Sequence, residues 1–171
     1  MTLDELNALS TDEAGRELHR CCGSSRWVSK MVGLRPFRTA ADLYGTASAI
    51  WKGLSPEDWK EAFSHHPKIG DLQSLRERFS ATAQWAATEQ SGVEGSSEMV
   101  LQKLAEGNSL YETKFGYIFI VCAAGKDARE MIALLDRRLE NDPTTELSIA
   151  GDEQSKITRL RLEKLLNDER A

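Results

Sequence analysis

The sequence lacks the features that mark several large classes of protein. No apolar run approaches the roughly 20 residues that a membrane-spanning helix needs. No basic stripe offsets the formal net charge of −5, and an acidic chain of this kind is a poor binder of nucleic acid. The chain also has no CxxC or HExxH spacing, no P-loop and no GxGxxG motif. We therefore expect no membrane, nucleic-acid, metal or nucleotide-cofactor site.

Cysteine is scarce, and its arrangement argues against disulfides. The chain has 3 cysteines, of which Cys21 and Cys22 are adjacent and would be strained if they were bonded to each other. We read all three as reduced thiols of an intracellular protein. The opening MTLDELNALSTDEAG has neither the basic nor the apolar region of a secretory signal, and the final NDERA is not an SKL-type peroxisomal address.

What the sequence does contain is a dense series of helix start and stop signals. Ser10 with Glu13 forms a capping box, Ser55 followed by Pro56 is a cap with proline at the first helical position, and glycines close several segments. With 171 residues, 40% hydrophobic and 29% charged, the composition is that of an ordinary globular protein. We predict an all-α, single-domain bundle over residues 1–171. The helical segments are 10–22, 24–32, 39–52, 55–66, 71–79, 81–91, 97–115, 127–141 and 144–167.

One segment, YIFIVCA at 117–123, departs from this helical pattern. It is apolar, rich in β-branched and aromatic residues, and bounded by Gly116 and Gly125, which favours a strand. A lone strand has no pairing partner in a helical chain. We therefore expect an extended, buried segment whose backbone amides need other partners, which a ligand could supply. The alternative is the start of a buried helix.

Two adjacent histidines, in FSHHPKIGD, differ in helical phase. His66 lies seven residues after Trp59 and three after Phe63, so it continues the apolar face of that helix, whereas His65 points to the side. A polar side chain on a buried face is a candidate for acid–base chemistry. The alternative is a core histidine with a backbone partner.

A glutamate and an arginine also fall on apolar faces. Glu89 follows Trp85 by four residues, and a buried carboxylate needs a partner or a raised pKa; the alternative is a half-exposed residue at the rim. Arg161 lies between Ile157 and Leu165, near the middle of an apolar arc. It cannot shed its charge, so it needs an anion, either a ligand or a structural carboxylate.

The chain resembles the 2-oxo-4-hydroxy-4-carboxy-5-ureidoimidazoline (OHCU) decarboxylase family, and in particular the decarboxylase half of the plant bifunctional allantoin synthases. The resemblance covers nearly the whole chain. It is carried by CCGSSRWVSKMVGLRPF, WKEAFSHHPKIGD, TEQSG, LYETKFGYIFIVCAAG and ITRLRLEKL, in this order.

The resemblance implies an all-α fold of about eight helices and a set of site residues. The implied catalytic residues are His66, Glu89 and Arg161, and no cofactor or metal is implied. Ala86 replaces a serine that is common in the family, so a substrate hydrogen bond is missing or comes from Thr88 or Gln90. The implied substrate-binding positions are Pro67, Ala86, Gln90, Tyr117, Ile118, Phe119, Ile120, Val121 and Cys122.

The resemblance also implies a reaction, the decarboxylation of OHCU to (S)-allantoin at the end of urate degradation. It implies a small-molecule substrate, a functional link to hydroxyisourate hydrolase and a peroxisomal location, with the cytoplasm as the alternative location. A homodimer is left open. The rival hypothesis is a non-catalytic helical interaction module whose inward polar residues are structural.

Overall fold

The computed structural model describes residues 1–66, 75–76 and 94–167, and every regular element in this part of the chain is a helix. The all-α prediction is confirmed. None of these helices is both long and apolar enough to cross a bilayer. The helices are α1 (Leu3–Ala8), α2 (Thr11–Cys21), α3 (Ser25–Gly33), α4 (Ala40–Lys52), α5 (Pro56–Ser64), α6 (Glu94–Phe115), α7 (Ala128–Leu139) and α8 (Pro143–Asn167).

Most helix boundaries follow the capping signals, with two corrections. Helix α6 begins at Glu94, so the predicted start at Ser97 is wrong. Helix α1 was not predicted, although Thr2 and Glu5 form the same kind of capping box that marks the start of α2. The helices predicted over 71–79 and 81–91 lie outside the described residues.

The chain divides into two compact units, each assembled from separate stretches of sequence. Unit 1 comprises Met1–His66, Ile120–Cys122 and Leu147–Ala171, and unit 2 comprises Pro67–Phe119 and Ala123–Glu146. Helix α8 therefore contributes its first residues to unit 2 and the remainder to unit 1. The single domain over residues 1–171 stays a prediction.

Indole N–H groups hold the core of unit 1 together. Trp27 donates to the carbonyl of Ala47 on α4 at 3.1 Å, and Trp51 donates to the carbonyl of Gly151 on α8 at 2.9 Å. Trp59 donates to the Trp51 carbonyl at 2.9 Å and stacks on the Trp51 ring. Trp27 and Trp51 are buried and Trp59 is half-buried, and each indole satisfies its polar atom on a neighbouring element while its ring packs against the core.

A buried ion pair organises unit 2. Glu146 is fully buried and accepts hydrogen bonds from the hydroxyl of Tyr111 on α6 and, at 2.7 Å, from Nε of Arg138 on α7. Asn141 donates to its second oxygen at 3.0 Å. The Arg138 guanidinium lies 4.6 Å from the centre of the Phe119 ring. Multiple hydrogen bonds of this kind compensate the desolvation of both charges.

The segment predicted to be extended is neither helix nor strand. Residues 118–123 have no regular structure, and the flanking Gly116 and Gly125 have φ of 81° and 72°. These left-handed conformations suit glycine, which has no Cβ. The alternative, a helix starting here, is wrong. Tyr117 and Ile120 are buried, whereas the other residues of the segment are only half-buried, so burial is less complete than expected.

Two helical glycines should respond in opposite ways to alanine. In Gly151→Ala the new methyl would lie 2.7 Å from Cζ3 of the Trp59 indole, whereas in Gly45→Ala nothing lies within 4 Å. We expect Gly151→Ala to lower the free energy of unfolding by about 1–3 kcal/mol through overpacking. Gly45→Ala should raise it by about 0.5–1 kcal/mol. Urea titration measures both, and equal shifts would contradict this packing of Trp59 against α8.

Candidate active site

His66 lies two residues beyond Ser64, the last residue of α5, and is half-buried, whereas His65 is the exposed C-cap of this helix. Phe63, one turn earlier, is fully buried. The burial pattern thus agrees with the helical phase read from the sequence. The His65 ring lies edge-on to that of His19, with centroids 4.8 Å apart.

Both ring nitrogens of His66 contact side chains of α8. Nε2 hydrogen-bonds Oε1 of Gln154, and Nδ1 lies 3.4 Å from a terminal guanidinium nitrogen of Arg161. Gln154 is fully buried and donates from its amide nitrogen to the Thr158 hydroxyl at 3.1 Å. These ring contacts do not fit the alternative of a core histidine whose ring is held by the backbone.

The Arg161 guanidinium lies beside the last carbonyls of α2. Its second terminal nitrogen is 3.5 Å from the carbonyl oxygens of both Arg20 and Cys21. These contacts are longer than those of Arg35, which donates to two carbonyls at the end of α1 at 2.9 and 2.8 Å. Within the described residues, no carboxylate lies within 4.0 Å of Arg161. The guanidinium is therefore loosely held by its protein partners in this part of the chain, which leaves donor capacity for an anionic ligand.

The prediction that Arg161 lies in the middle of the buried arc of α8 is wrong. Arg161 and Ile157 are half-buried, and Leu160 is 45% exposed. Most of the buried residues lie on an adjacent face at a regular spacing of four, namely Glu146, Ala150, Gln154, Thr158 and Leu162. Gly151 is also buried. Arg161 thus lies at the edge of the buried face, where its guanidinium can reach both His66 and α2.

The surroundings of His66 keep its imidazole neutral. Burial is the largest influence and lowers the pKa of His66 from its ordinary value of 6.5. The positive charge of Arg161 and the neighbouring His65 lower this pKa further, while the hydrogen bond to the side-chain oxygen of Gln154 acts in the opposite direction. A neutral imidazole can accept a proton, which is the property required of a general base.

The buried thiols of Cys21 and Cys22 are poor nucleophiles. Burial raises the pKa of Cys21 to about 12 and that of Cys22 to about 11, so both remain protonated near neutral pH. All three cysteines are free. In the part of the chain that the structure describes, no three His, Cys, Asp or Glu side chains cluster as metal ligands would.

Part of the apolar segment lies in the same unit as His66 and Arg161. The backbone N–H of Cys122 donates to Oε2 of Glu153 on α8 at 2.6 Å, and Lys156 contacts the other oxygen of this carboxylate at 2.5 Å. A side chain adjacent to Gln154 therefore anchors this stretch of backbone.

The structure brings together two of the three predicted catalytic residues, His66 and Arg161. Of the predicted substrate-binding residues, Ile120, Val121 and Cys122 belong to unit 1, and Tyr117, Ile118 and Phe119 belong to unit 2. The remaining predicted site residues, Glu89, Pro67, Ala86 and Gln90, lie outside the described residues.

Three residues near this site were missed from the sequence: Glu153, Gln154 and Thr158. Ordinary polar residues on a long helix attract no attention when the search is for histidine, arginine and apolar faces. One signal was present, because Gln154 and Thr158 continue the spacing of four that joins Ala150 to Leu162. Polar residues inside such a row must find buried partners.

A helical protein that sets a neutral, half-buried imidazole beside a loosely held guanidinium has the site of an acid–base enzyme with a small polar or anionic substrate. The family model described as OHCU decarboxylase matches residues 7–163, which is most of the chain. The chain belongs to the OHCU decarboxylase family.

Individual relatives agree with this assignment. The chain is 42% identical over 149 residues to the uric acid degradation bifunctional protein TTL of Arabidopsis thaliana, covering 86% of this chain but only 46% of that protein. It is 24% identical to the 2-oxo-4-hydroxy-4-carboxy-5-ureidoimidazoline decarboxylase of Haloferax volcanii, covering 99% and 98% of the two chains. A crystal structure of an OHCU decarboxylase in the presence of (S)-allantoin is similar, with a TM-score of 0.71 and 41% identity, covering 89% of this chain and 98% of the other.

The lowered pKa of His66 should appear in the pH dependence of stability. When the pH falls below the ordinary value of 6.5, the unfolded chain binds a proton at this residue and the folded protein does not, so stability is lost down to the lowered folded pKa. His66→Gln should remove this contribution. Urea unfolding of the wild type and of His66→Gln between neutral pH and about pH 5 measures this contribution. Parallel pH profiles of the free energy of unfolding would contradict the expectation.

Proposed function

We propose that this chain catalyses the cofactor-independent decarboxylation of OHCU to (S)-allantoin, the last step of urate degradation. The observation that carries the proposal is the neutral imidazole of His66 beside the Arg161 guanidinium, in a chain whose family match runs across residues 7–163. The similar crystal structure with (S)-allantoin supports this product.

The substrate itself provides the electron sink for this reaction. OHCU has a carboxylate and a hydroxyl on one ring carbon, next to a ring imine. When the bond to the carboxylate breaks, CO2 leaves and the electron pair moves into the imine, whose nitrogen gains a proton. The resulting enol becomes the carbonyl of allantoin when its hydroxyl proton is lost and the neighbouring carbon is protonated. Hydrogen bonds that stabilise the developing charge are sufficient for such a reaction.

His66 takes the role of the base that handles the hydroxyl proton. Because burial and Arg161 disfavour its protonated form, the imidazole is ready to accept a proton from the substrate. Proton transfer by such a group is typically worth about 10²–10⁴-fold in rate. Glu89, the acidic partner implied by the family, orients the imidazole or the substrate hydroxyl.

Arg161 takes the role of the anchor for the substrate's anionic part. Arginine offers donors in a planar fork that matches a carboxylate. Among the described residues, the guanidinium has long contacts to two carbonyls and to Nδ1 of His66. Substrate bound there would lie next to the base. The backbone of residues 117–122 and the side chains Pro67, Ala86 and Gln90 would bind the ring and ureido groups.

A coupled assay tests the proposal and the choice between the two histidines. Urate oxidase and hydroxyisourate hydrolase generate OHCU in the cuvette, and circular dichroism follows the formation of chiral allantoin. The wild-type protein should accelerate it. The rate of allantoin formation should fall by about 10²–10⁴-fold in His66→Ala. His65→Ala, at an exposed position, should retain most of the activity. A wild-type rate equal to the spontaneous one would favour the non-catalytic interaction module, and equal losses in both variants would remove His66 from the chemistry.

Two arginines on α8 provide a matched pair for testing the anchor. Arg161→Lys keeps the charge but loses the planar fork, so kcat/KM should fall by about 10- to 100-fold, equivalent to one charged hydrogen bond of about 1.5–3 kcal/mol. Arg159→Lys should behave like wild type, since Arg159 is exposed and pairs with Glu163 at 2.5 Å. Kinetics and thermal unfolding are measured on both. A lowered melting temperature for Arg161→Lys with unchanged kinetics would indicate a structural role instead.

The cellular setting is proposed on the resemblance alone. We place the protein in the peroxisome, with the cytoplasm as the alternative, and link it functionally to a hydroxyisourate hydrolase. The bifunctional nature of the Arabidopsis relative supports this link. A homodimer remains a further proposal, which light scattering of the purified protein tests.

A further inference from the structure

A chain of buried polar side chains leads away from the His66 imidazole. Gln154 and Cys22 are 0% exposed and Thr158 is 5% exposed. The Gln154 amide joins the His66 ring to the Thr158 hydroxyl, and this hydroxyl lies near enough to the Cys22 thiol to act against the rise of its pKa. All members belong to unit 1.

The hydrogen-bonding capacities of these groups determine which ring nitrogen carries the proton. Arginine has donors and no acceptor, so the contact from Arg161 requires that Nδ1 of His66 be unprotonated. In a neutral imidazole the proton is then on Nε2, which donates to Oε1 of Gln154. If the Gln154 amide were rotated by about 180°, its NH2 group would face the Nε2–H group of His66, and two donors would oppose each other.

Thr158, at the other end of this row of hydrogen-bonded side chains, holds the Gln154 amide in this orientation. Its nitrogen donates to Thr158 Oγ1 at 3.1 Å, so Thr158 acts as the acceptor of this hydrogen bond and the hydroxyl proton points elsewhere. Cys22 is itself fixed at the end of α2, whose last carbonyls contact Arg161. Both donors, Nε2–H of His66 and the amide nitrogen of Gln154, therefore point away from the imidazole and toward Thr158.

We propose that Gln154, oriented by Thr158, is a positioning residue that fixes His66 as the Nε2–H tautomer and reserves Nδ1 as its basic atom. The role of Nδ1 in taking up the substrate hydroxyl proton rests on the proposed function, whereas the tautomer itself does not. Nδ1 is also the nitrogen that faces Arg161, so the base and the anion anchor act on the same side of the ring.

The charges around the ring act in the same direction as this hydrogen-bond chain. Within the described residues, the charged or titratable groups that influence His66 are Arg161 on α8 and the adjacent His65, and both disfavour an imidazolium. Gln154 is neutral and accepts a hydrogen bond without stabilising a second proton as strongly as a carboxylate would. A glutamine, rather than a glutamate, thus keeps the ring neutral while it determines the tautomer.

The tautomer can be tested in the ligand-free protein by nitrogen-15 NMR of the imidazole rings. The chain has only 3 histidines, and His66→Gln identifies the His66 signals. In the wild type, Nε2 should show the shift of a protonated ring nitrogen and Nδ1 that of an unprotonated one. Gln154→Met, which removes the acceptor at similar volume, should abolish this preference. Gln102→Met, at an exposed position on α6, is the matched control and should change nothing.

Two further variants keep the test decisive if Gln154→Met fails to fold. Gln154→Glu retains the acceptor and adds a charge, so the His66 titration and the acidic limb of the kcat/KM profile should both move to higher pH. Thr158→Val should weaken the tautomer preference because the amide loses its support. A wild-type His66 protonated on Nδ1, or an unchanged tautomer and titration in all three variants, would overturn the proposal.

Kinetics separate this proposal from the proposed function. Gln154→Met should lower kcat by about 10- to 100-fold, within the range of general-base effects, with KM little changed. If the protein has the Nε2–H tautomer but does not accelerate allantoin formation, the proposed function fails and the positioning role of Gln154 stands. If activity is present but Gln154→Met leaves both the tautomer and kcat unchanged, the positioning role fails alone.

Discussion

A polar side chain that is buried must find its hydrogen-bond partners inside the protein, and helix α8 imposes this requirement at three positions. Glu146, Gln154 and Thr158 recur on its buried face. In unit 2 Glu146 accepts a hydrogen bond from Arg138, and in unit 1 Gln154 forms a hydrogen bond with His66. An unsatisfied group at any of these positions would cost about 1–3 kcal/mol or more. The partners are thereby fixed in place, and the candidate catalytic histidine is one of them.

The site combines two demands that usually conflict. A base must be buried enough to remain neutral, yet it must be accessible to a substrate. His66 meets both because it follows the last turn of α5, where one side of the ring faces Gln154 and the other faces the loosely held guanidinium of Arg161. Arg161 lies at the edge of the buried face of α8, so it can exchange its long protein contacts for an anion without leaving a buried charge unpaired.

The sequence was a good guide where local physics decides the outcome. Capping residues and glycines predicted most helices, and helical phase separated His66 from His65, because both depend on neighbours in the chain. The buried face of α8 was misjudged because apolar residues such as Leu160 were taken to define it. Tertiary packing instead buries Gln154 and Thr158, and only the fold supplies partners for them. Irregular backbone at 118–123 likewise depends on distant contacts rather than on strand propensity.

The tryptophans have an optical consequence. Three of the 4 in the chain, Trp27, Trp51 and Trp59, lie in unit 1, and their indole nitrogens all donate to backbone carbonyls there. Trp27 and Trp51 are almost completely shielded from water. Intrinsic fluorescence is therefore weighted toward unit 1, and a red shift of the emission will mark the moment at which water reaches the core that supports His66.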